Sequence, residues 1–429
     1  MSLSRNTGAP SAAAAAEGLV WYRQVQPAAW KALMLAGLGW LFESYDSFML
    51  SLTLPDLAKE FALTRPEIGG LISVTAAGQI IGGILFGFVS DRLGRVRTAY
   101  LCVLIYSVFS GCIAFSPNAT WLGSLRFFGA LGMGGTWTAG AALVAETWGP
   151  RLRGRGGALM QMGLPLGAIV AIAAAAAVGS LNGGLGGNGW RALYLIGVLP
   201  ALILAPVALR TPESPILLAR KQDAGATSGG SAVRIIPPGS RRNALLAFGF
   251  VFFLQYVYWG VFTWTPTFLA TAKHYDFLKS LSFVLALQLG AITGFLVFGA
   301  FVDRLGRKPM FISYILVGIA AVSAYAFGPP ATLIVAIFFS GFSVNGIFAG
   351  LGPFTAEMIP DTSSRGFVMG LIYNGGRIGG LLAPTIIGLI ASGQGQYGLE
   401  AGLGTTVGAF AVALLIILCV PETRGRSLR

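Results

Sequence analysis

The chain has 429 residues, of which 55% are hydrophobic and only 10% are charged, and its mean hydropathy is +0.73. So few charged side chains could not cover the surface of a soluble protein of this length. A helix needs roughly 20 apolar residues to cross about 30 Å of hydrocarbon, and such continuous runs recur along the chain. These continuous runs exclude a membrane β-barrel, whose strands are short segments of alternating hydrophobicity. The composition therefore predicts an all-α polytopic membrane protein.

Twelve long apolar runs follow one another along the chain. They predict transmembrane helices over 29–53, 67–90, 97–116, 119–145, 156–180, 190–209, 243–269, 280–302, 309–327, 331–357, 366–392 and 400–420. We expect a flexible cytoplasmic N-terminal tail over 1–28 and a first six-helix bundle over 29–210. A cytoplasmic central loop over 211–242 leads to a second six-helix bundle over 243–420 and to a cytoplasmic C-terminal tail over 421–429.

The formal charge of +13 is distributed unevenly between the predicted connections. Arg and Lys concentrate in the connections after the even-numbered spans, in the central loop and in both termini, whereas the other side carries only Lys59, Arg65, Arg191, Lys273 and Lys279. The positive-inside rule therefore places both termini in the cytoplasm, with the protein spanning the inner (plasma) membrane. The basic excess indicates topology, so we expect lipid and no nucleic acid as a partner.

Motifs for enzymatic chemistry are absent from the sequence. Cys102, Cys112 and Cys419 fall within apolar spans, and His274 is the single histidine. There is no CxxC or HExxH spacing, and there is no GxxxxGK[ST] phosphate loop. We therefore expect no enzymatic activity, no metal, no cofactor and no built-in ATPase.

An internal repeat divides the chain into two halves. The stretch GFVSDRLGR at 87–95 recurs as GAFVDRLGR at 299–307, an offset of 212. Ala145-Glu146 recurs as Ala356-Glu357, and the PES run at 212–214 recurs as PET at 421–423. Three motifs in one order predict two related bundles of six helices. Parallel repeats of this kind place a substrate site at their interface, near the bilayer midplane.

Acidic and basic residues within these repeated motifs lie at the predicted cytoplasmic ends of helices. We expect them to form ion pairs between helices that close this side of the protein and break when it opens. We expect these pairs to be partly exposed, so that each contributes up to about 1 kcal/mol and the network must act as a whole. The alternative is ordinary solvated loop charge. The predicted gating residues are Asp91, Arg92, Arg95, Glu146, Arg153, Asp303, Arg304, Arg307, Glu357 and Arg365.

Four charged residues lie deep inside predicted spans, and charge at that depth usually marks a substrate or ion pathway. Glu43 and Asp46 share one face of the first helix, and Arg126 of the fourth helix lies at a similar depth. Either acid can therefore pair with Arg126. A carboxylate that alternates between an arginine partner and an apolar site takes up and releases a proton, which would couple protons to transport. The alternative is a static buried ion pair.

Arg377 lies close to the middle of the eleventh span, in the glycine-rich run YNGGRIGG at 373–380. No acid of the second half lies at a comparable depth, so we expect a lone guanidinium. Such a group suits a substrate carboxylate, which it binds through two parallel hydrogen bonds. The alternative is an ion pair between Arg377 and an acid of the first helix.

These motifs resemble the major facilitator superfamily over residues 28–428. The loop at 87–95 is similar to the signature between the second and third helices of that family, and the runs beginning at Pro212 and Pro421 resemble its sugar-porter-like branch. Glu43-Ser-Tyr-Asp46 resembles the first-helix acid pair of the aromatic acid:proton symporters, normally two aspartates. Arg126 and Arg377 match arginines of that group, and the run 40–46 also resembles niacin and other metabolite:proton symporters.

The resemblance implies alternating access without ATP, with Asp46 and Glu43 carrying the proton and Arg377 binding the substrate. Polar groups at suitable depth could complete the site or serve only as interhelical hydrogen bonds: Gln161, Gln255, Tyr258, Asn345, Tyr373 and Asn374. We therefore predict a monomeric symporter of a proton and a small organic acid, an aromatic acid or another monocarboxylate. The alternatives are a sugar or organic-cation carrier with a structural Arg377, a uniporter or exporter, and a receptor with a transporter fold.

Overall fold

The computed structural model describes residues 21–63, 65–182, 185–219, 240–269, 277–359, 365–393 and 398–426. Nearly all of them are helical. In the first half the helices are α1 Pro27–Glu60, α2 Arg65–Leu93, α3 Arg95–Ile113, α4 Ala119–Thr147, α5 in two segments, Arg153–Gln161 and Gly163–Asn182, and α6 in two segments, Gly189–Ile196 and Leu199–Arg210.

The second half repeats this arrangement. Its helices are α7 Arg241–Thr267, α8 Phe277–Leu305, α9 Arg307–Phe327, α10 in three segments, Leu333–Gly346, the 3-10 turn Ile347–Gly350 and Leu351–Met358, α11 Arg365–Gly393 and α12 Gly398–Leu418. Two short 3-10 helices, Trp21–Gln24 and Pro330–Thr332, precede α1 and α10.

Length and composition allow ten helices in the described part of the chain to cross a membrane. The two long helices outside that set, α1 and α11, contain Glu43, Asp46 and Arg377, and these charges lower their mean hydropathy. Large apolar side chains such as Leu181 and Leu209 are more than 80% exposed, as expected on a surface that faces lipid. The prediction of twelve spans in two six-helix bundles is confirmed.

Two glycines make the sharp reversals that join α2 to α3 and α8 to α9. Gly94 has φ +122° and Gly306 has φ +110°, values that only glycine adopts readily. Each is the last residue before a helix that begins with an arginine, Arg95 or Arg307. These reversals therefore fix where both arginines stand at one end of the molecule.

The two bundles meet along two equivalent helix pairs, α2 with α11 and α5 with α8. In the first pair, a Cβ added at Gly87 would lie 2.6 Å from the carbonyl oxygen of Gly366. In the second pair, a Cβ added at Gly299 would lie 2.6 Å from the side chain of Ala158. Residues without bulky side chains therefore let the bundles approach closely at both seams.

The N-terminal segment is more ordered than the sequence suggested. Residues 1–20 lie outside the described part, but Trp21–Gln24 form a 3-10 helix and α1 begins at Pro27. Trp21 packs on Trp30, and Trp30 packs on Trp148 with 5.4 Å between ring centroids. The expectation of a flexible tail over 1–28 is therefore wrong for its last residues, because aromatic packing holds them. Most of the predicted central loop, 220–239, also lies outside the described residues.

Candidate transport site and gate

The first buried ion pair of the site lies entirely within the first bundle. Asp46 of α1 accepts a hydrogen bond from Arg126 of α4, with 2.8 Å between Oδ2 and Nη1. Its other oxygen accepts a hydrogen bond from the hydroxyl of Ser110 on α3. Both charged side chains are only 2% exposed. The pairing of Asp46 with Arg126 was one of the two predicted possibilities, and Ser110 was not foreseen.

The second ion pair joins the two bundles. Glu43 Oε1 of α1 lies 3.5 Å from Arg377 Nη2 of α11, and these side chains are 3% and 11% exposed. Arg377 is therefore not the lone guanidinium that the sequence suggested. The expectation considered only acids of the second half, whereas the partner comes from the first half across the interface.

Aromatic rings surround this second pair. Tyr373, one turn before Arg377, stacks on Trp137 of α4 with 3.5 Å between centroids and 10° between planes. Trp40 approaches the Tyr373 ring edge-on, with 6.4 Å between centroids, and the guanidinium of Arg377 lies 5.6 Å from the centroid of the Tyr373 ring. The indole of Trp137 donates a hydrogen bond to Gln161 Oε1 at 3.0 Å, which positions the stack.

The remaining predicted substrate residues differ in how close they come to this centre. Asn374 Nδ2 donates to Thr138 Oγ1 at 3.1 Å, another contact between the bundles. Gln255 is buried and hydrogen-bonds Tyr373, while Tyr258 packs on Phe262 and lies within electrostatic range of Tyr373 and Arg377. Asn345 donates only to the carbonyl of Gly341 in its own helix, so that contact supports packing rather than binding.

Several buried polar atoms around the centre have no hydrogen-bond partner among the described residues. They lie on α1, α5 and α11, and they are Trp40 Nε1, Glu43 Oε2, Gln161 Nε2, Asn374 Oδ1 and Arg377 Nη1. A buried polar group without a partner costs roughly 1–3 kcal/mol, so a cluster of them is unusual. The cluster offers donors from Arg377, Gln161 and Trp40 to a polar or anionic ligand.

A second set of charged residues lies at one end of the molecule, and we call this end the charged face. Arg95 contacts Asp91 at 2.6 Å and Glu146 at 3.0 Å. The repeat places the same group in the second bundle, where Arg307 contacts Asp303 at 2.8 Å and Glu357 at 3.0 Å.

Contacts across the bundle interface complete this network. Arg365 pairs with Glu146, and Arg153 pairs with Glu357, both at 3.1 Å. The carboxylate of Asp91 accepts backbone hydrogen bonds at the first turn of α11, from Gly366 at 3.1 Å and Phe367 at 2.9 Å. Asp303 accepts the equivalent pair at the start of α5, from Gly154 at 3.0 Å and Arg155 at 2.9 Å. A carboxylate at a helix N-terminus is favourable because the helix dipole is positive there.

Four further residues of the network were not predicted to act in the gate. Glu213 accepts from the backbone N–H of Arg95 at 2.8 Å, and Ser214 donates to Glu146. In the second bundle Glu422 accepts from the N–H of Arg307 at 2.9 Å, and Thr423 donates to Glu357 at 2.7 Å. The repeat of the PES and PET runs was the signal that could have identified them.

Two expectations about the charged face are wrong. The ion pairs are not partly exposed, since the paired side chains of Arg95 and Glu146 are each 1% exposed, and the reading as solvated loop charge fails for the same reason. Arg92 and Arg304 are exposed and take part in none of the described ion pairs; Arg92 instead lies over the ring of Phe88 at 4.1 Å. Each points outward because it directly follows the aspartate that faces the interface.

The opposite end of the first bundle has a single described ion pair, between Glu60 at the end of α1 and Arg191 in α6. Their charged atoms are 2.6 Å apart, and the indole of Trp190 also donates to Glu60. The hydrogen bond from Arg191 holds the pKa of Glu60 below its ordinary value. This pair fastens α1 to α6 and does not cross the bundle interface. Within the described residues, no group of three or more His, Cys, Asp or Glu side chains is placed to hold a metal ion.

Two six-helix bundles that meet around buried charges are the architecture of a multi-pass membrane transporter. The chain belongs to the major facilitator superfamily, whose family model matches residues 36–331 and 282–429.

Similar proteins agree with this assignment. The chain is 31% identical over 409 residues to the "Probable 4-methylmuconolactone transporter" of Cupriavidus pinatubonensis, covering 94% of this chain and 93% of that protein. It is 29% identical over 429 residues to the niacin transporter NiaP of Acinetobacter baylyi, covering 92% and 94%. The fold is similar to that of the proton:xylose symporter XylE bound to 6-bromo-6-deoxy-D-glucose, with a TM-score of 0.77 and 18% identity over 93% and 97% of the two chains.

Proposed function

We propose that this protein is a secondary active transporter that carries a small organic acid together with a proton by alternating access. The observation that carries the proposal is Arg377, a guanidinium at the bundle interface whose buried Nη1 has no hydrogen-bond partner among the described residues. A planar guanidinium binds a carboxylate through two parallel N–H···O bonds, so Arg377 is suited to an anionic substrate. Niacin, named for one relative, is such a carboxylic acid.

The aromatic rings beside Arg377 support a flat or unsaturated acid. The guanidinium lies 5.6 Å from the centroid of the Tyr373 ring, and Trp137 and Trp40 pack against that ring. Aromatic faces stack favourably on planar ligands. Gln161 Nε2 and Trp40 Nε1 supply further unpartnered donors for ring substituents. The proposed substrate is therefore a small aromatic acid or another unsaturated monocarboxylate.

Proton coupling is supported by the two acids of α1. Asp46 and Glu43 are each buried beside an arginine, and a carboxylate that loses such a partner in an apolar environment favours its protonated form. Movement of the bundles relative to each other changes the surroundings of Glu43, whose arginine partner belongs to the second bundle, whereas Asp46 loses Arg126 only if helices shift within the first bundle. Proton uptake and release can thereby follow the transport cycle.

The charged face is proposed to lie in the cytoplasm, with both termini on that side of the inner membrane. Its basic residues satisfy the positive-inside rule. The network of Asp91, Glu146 and Arg365 and its counterpart in the second bundle then close the protein toward the cytoplasm. Breaking the contacts between the bundles would open it inward.

Uptake by proteoliposomes tests the proposal. Purified protein should accumulate labelled nicotinate above its equilibrium level when the outside is more acidic, and a protonophore should abolish the accumulation. Unlabelled nicotinate should compete, whereas the neutral amide nicotinamide should compete poorly. Accumulation that ignores the pH gradient would indicate a uniporter, and flux of glucose or choline but of no acid would overturn the organic-acid assignment.

The contact between Glu43 and Arg377 favours a second candidate, a carrier of neutral or cationic substrates in which Arg377 is structural. The two candidates differ in how Arg377→Ala affects an acid and its neutral analogue. A structural arginine affects nicotinate and nicotinamide equally, because only the helix arrangement changes. A substrate-binding arginine affects the acid far more than the amide.

A further inference from the structure

A cavity outside the central site lies between the two bundles, at the seam of α5 and α8. Its volume is about 220 Å³, and its walls are mostly apolar, with Leu159 and Met162 on α5 and Phe295 and Leu296 on α8. Among the described residues that line it there is no side chain of the central site or of the ion pairs. Leu296 is 48% exposed on the outer surface of α8, so the cavity opens toward lipid.

The cavity lies in the part of the membrane span that is nearest the charged face. The wall residues of α8 fall between 295 and 300, and this helix ends at Leu305 beside the charged face. At a rise of about 1.5 Å per residue, these positions lie roughly 7–15 Å from the helix end. Half of the hydrocarbon core is about 15 Å thick, so the cavity lies within one leaflet of the bilayer.

One cation lines the cavity together with the Trp21 ring. The guanidinium of Arg155 lies 5.1 Å from the centroid of that ring, and Arg155 Nη2 donates to the carbonyl oxygen of Ala300 at 3.4 Å. Arg155 Nε is buried and has no hydrogen-bond partner among the described residues. The Arg155 side chain also takes part in none of the described ion pairs. An uncompensated cation with a spare donor beside an apolar cavity indicates a ligand that is anionic at one end and apolar at the other.

The equivalent seam between α2 and α11 lacks this cation. The repeat that aligns Arg153 with Arg365 places Phe367 at the position of Arg155. Phe367 packs against the hydrophobic core. A ligand that needs the guanidinium is therefore expected once per molecule, at the seam of α5 and α8.

The size and charge of the cavity fit a phospholipid better than a soluble metabolite. Small-molecule sites usually measure about 300–1,000 Å³, so this cavity is too small for most of them, but it can hold part of one acyl chain. Arg304, one turn after Ala300 on α8, is exposed and adds positive charge at the same end. Basic pockets between transmembrane helices bind anionic lipid headgroups, and tryptophan favours the membrane interface where these headgroups lie.

We propose that this cavity binds one anionic phospholipid, with the lipid phosphate on Arg155 and part of an acyl chain between α5 and α8. The orientation proposed above places this lipid in the cytoplasmic leaflet, whereas the site itself does not depend on that orientation. A ligand shifts an equilibrium toward the state that it binds better. Because the walls belong to both bundles, the bound lipid stabilises the state in which α5 and α8 are together, and so keeps the charged face closed.

Native mass spectrometry of the purified full-length protein tests the site without any transport substrate. The wild type should retain one phosphatidylglycerol more tightly than a phosphatidylcholine with the same acyl chains. Arg155→Gln should weaken the retention of phosphatidylglycerol about fivefold, which corresponds to the attraction of one arginine for an anionic membrane surface. Arg155→Lys should restore most of it. Arg151→Gln is the matched control, since Arg151 is exposed and does not line the cavity.

Photolabelling locates the lipid independently of the charge variants. Phosphatidylglycerol with a photoreactive group on its acyl chain should label α5 and α8. Ala300→Phe should reduce this labelling, because Ala300 is an exposed residue of the cavity wall and a larger side chain there fills the space. Size-exclusion elution and melting temperature, compared with the wild type, establish that each variant is folded.

Three outcomes would overturn the proposal. The first is equal retention of phosphatidylglycerol by the wild type and Arg155→Gln, or an equal loss in Arg151→Gln, since general surface charge would then hold the lipid. The second is photolabelling of helices other than α5 and α8. The third is displacement of the lipid by inorganic phosphate at the same concentration, which would make the site one for a free anion. Because no substrate is present, each of these results leaves the proposed transport of organic acids untouched.

Discussion

Asp91→Asn is the substitution that most directly tests the gate. The carboxylate uses Oδ1 for Arg95 and for the N–H of Gly366, and Oδ2 for the N–H of Phe367. The side-chain oxygen of asparagine can replace Oδ1, but the asparagine NH₂ group then faces the N–H of Phe367. Both groups are donors, so no hydrogen bond forms between them. The variant therefore loses one hydrogen bond between the bundles and the negative charge at the N-terminus of α11.

The size of the effect follows from these two losses. A hydrogen bond to a charged group contributes roughly 1.5–3 kcal/mol, and a charge at a helix end about 0.3–1 kcal/mol, and both act only while the charged face is closed. We expect the closed state to be destabilised by about 2–4 kcal/mol. Since 1.4 kcal/mol corresponds to a factor of ten, the equilibrium should shift roughly 30- to 700-fold toward opening at this face.

Cysteine labelling measures the shift. Ala145 is fully buried beside Glu146, so Ala145→Cys should react with a water-soluble maleimide only when the charged face opens. The labelling rate should rise in Asp91→Asn and, because of the repeat, in Asp303→Asn. Arg92→Gln is the matched control, since it changes an exposed neighbouring charge that joins no described ion pair. The background variant has alanine in place of the three native cysteines, Cys102, Cys112 and Cys419.

Equal labelling of wild type, Asp91→Asn and Asp303→Asn would refute the gate as described. An increase in Arg92→Gln of the same size would also refute it, because general loss of charge at this end would then be sufficient. A rise in only one of the two aspartate variants would contradict the equivalence of the two seams.

Three further predictions concern other parts of the molecule. Asp46→Asn should abolish nicotinate uptake driven by a pH gradient but preserve exchange across the membrane; full accumulation would exclude Asp46 as a proton carrier. Arg377→Ala should weaken nicotinate binding by roughly 2–5 kcal/mol, with partial recovery in Arg377→Lys, and nicotinamide binding should change little; equal losses would make Arg377 structural. Because the pKa of Glu60 is lowered, its pair with Arg191 stabilises the fold above the ordinary pKa of 4.5 and is lost as the pH falls through the lower folded value. The melting temperature of Glu60→Gln should therefore fall less than that of the wild type on acidification below pH 4.5, and parallel curves would contradict this.

Most residues of the proposed gate could be predicted because their motif occurs twice in the sequence. The repeated motif identified Asp91, Arg95 and Glu146 together with their counterparts, and the structure joins them as ion pairs. Their burial was not predictable, because sequence places these residues at helix ends without showing that the other bundle covers them. Glu213 and Glu422 were likewise visible as a repeat, but their role depends on the loop path that brings them to the first turns of α3 and α9.

The central site was predicted in part from depth alone. Counting residues along α1 and α4 brought both acids of α1 close to the level of Arg126, and the structure shows that Asp46 is the acid that pairs with it. The contact of Glu43 with Arg377 depends on how α1 and α11 are rotated about their axes and on how the two bundles dock. Residue counts do not contain those angles, so the sequence left this pair as an alternative.

The charged motif of the proposed gate occurs in both bundles, whereas the charged residues of the central site do not repeat, and this difference has a mechanical consequence. At the repeat offset of 212, Glu43 and Asp46 correspond to Gln255 and Tyr258 on α7, neither of which carries a charge at neutral pH. The acidic groups at the centre therefore lie in the first bundle, while Arg377 belongs to the second. The proposed rocking of the bundles would leave the Asp46–Arg126 contact inside the first bundle but would change the distance between Glu43 and Arg377. Of the two central ion pairs, only the Glu43–Arg377 pair would therefore be opened directly by this movement, whereas opening of the Asp46–Arg126 pair requires a shift within the first bundle.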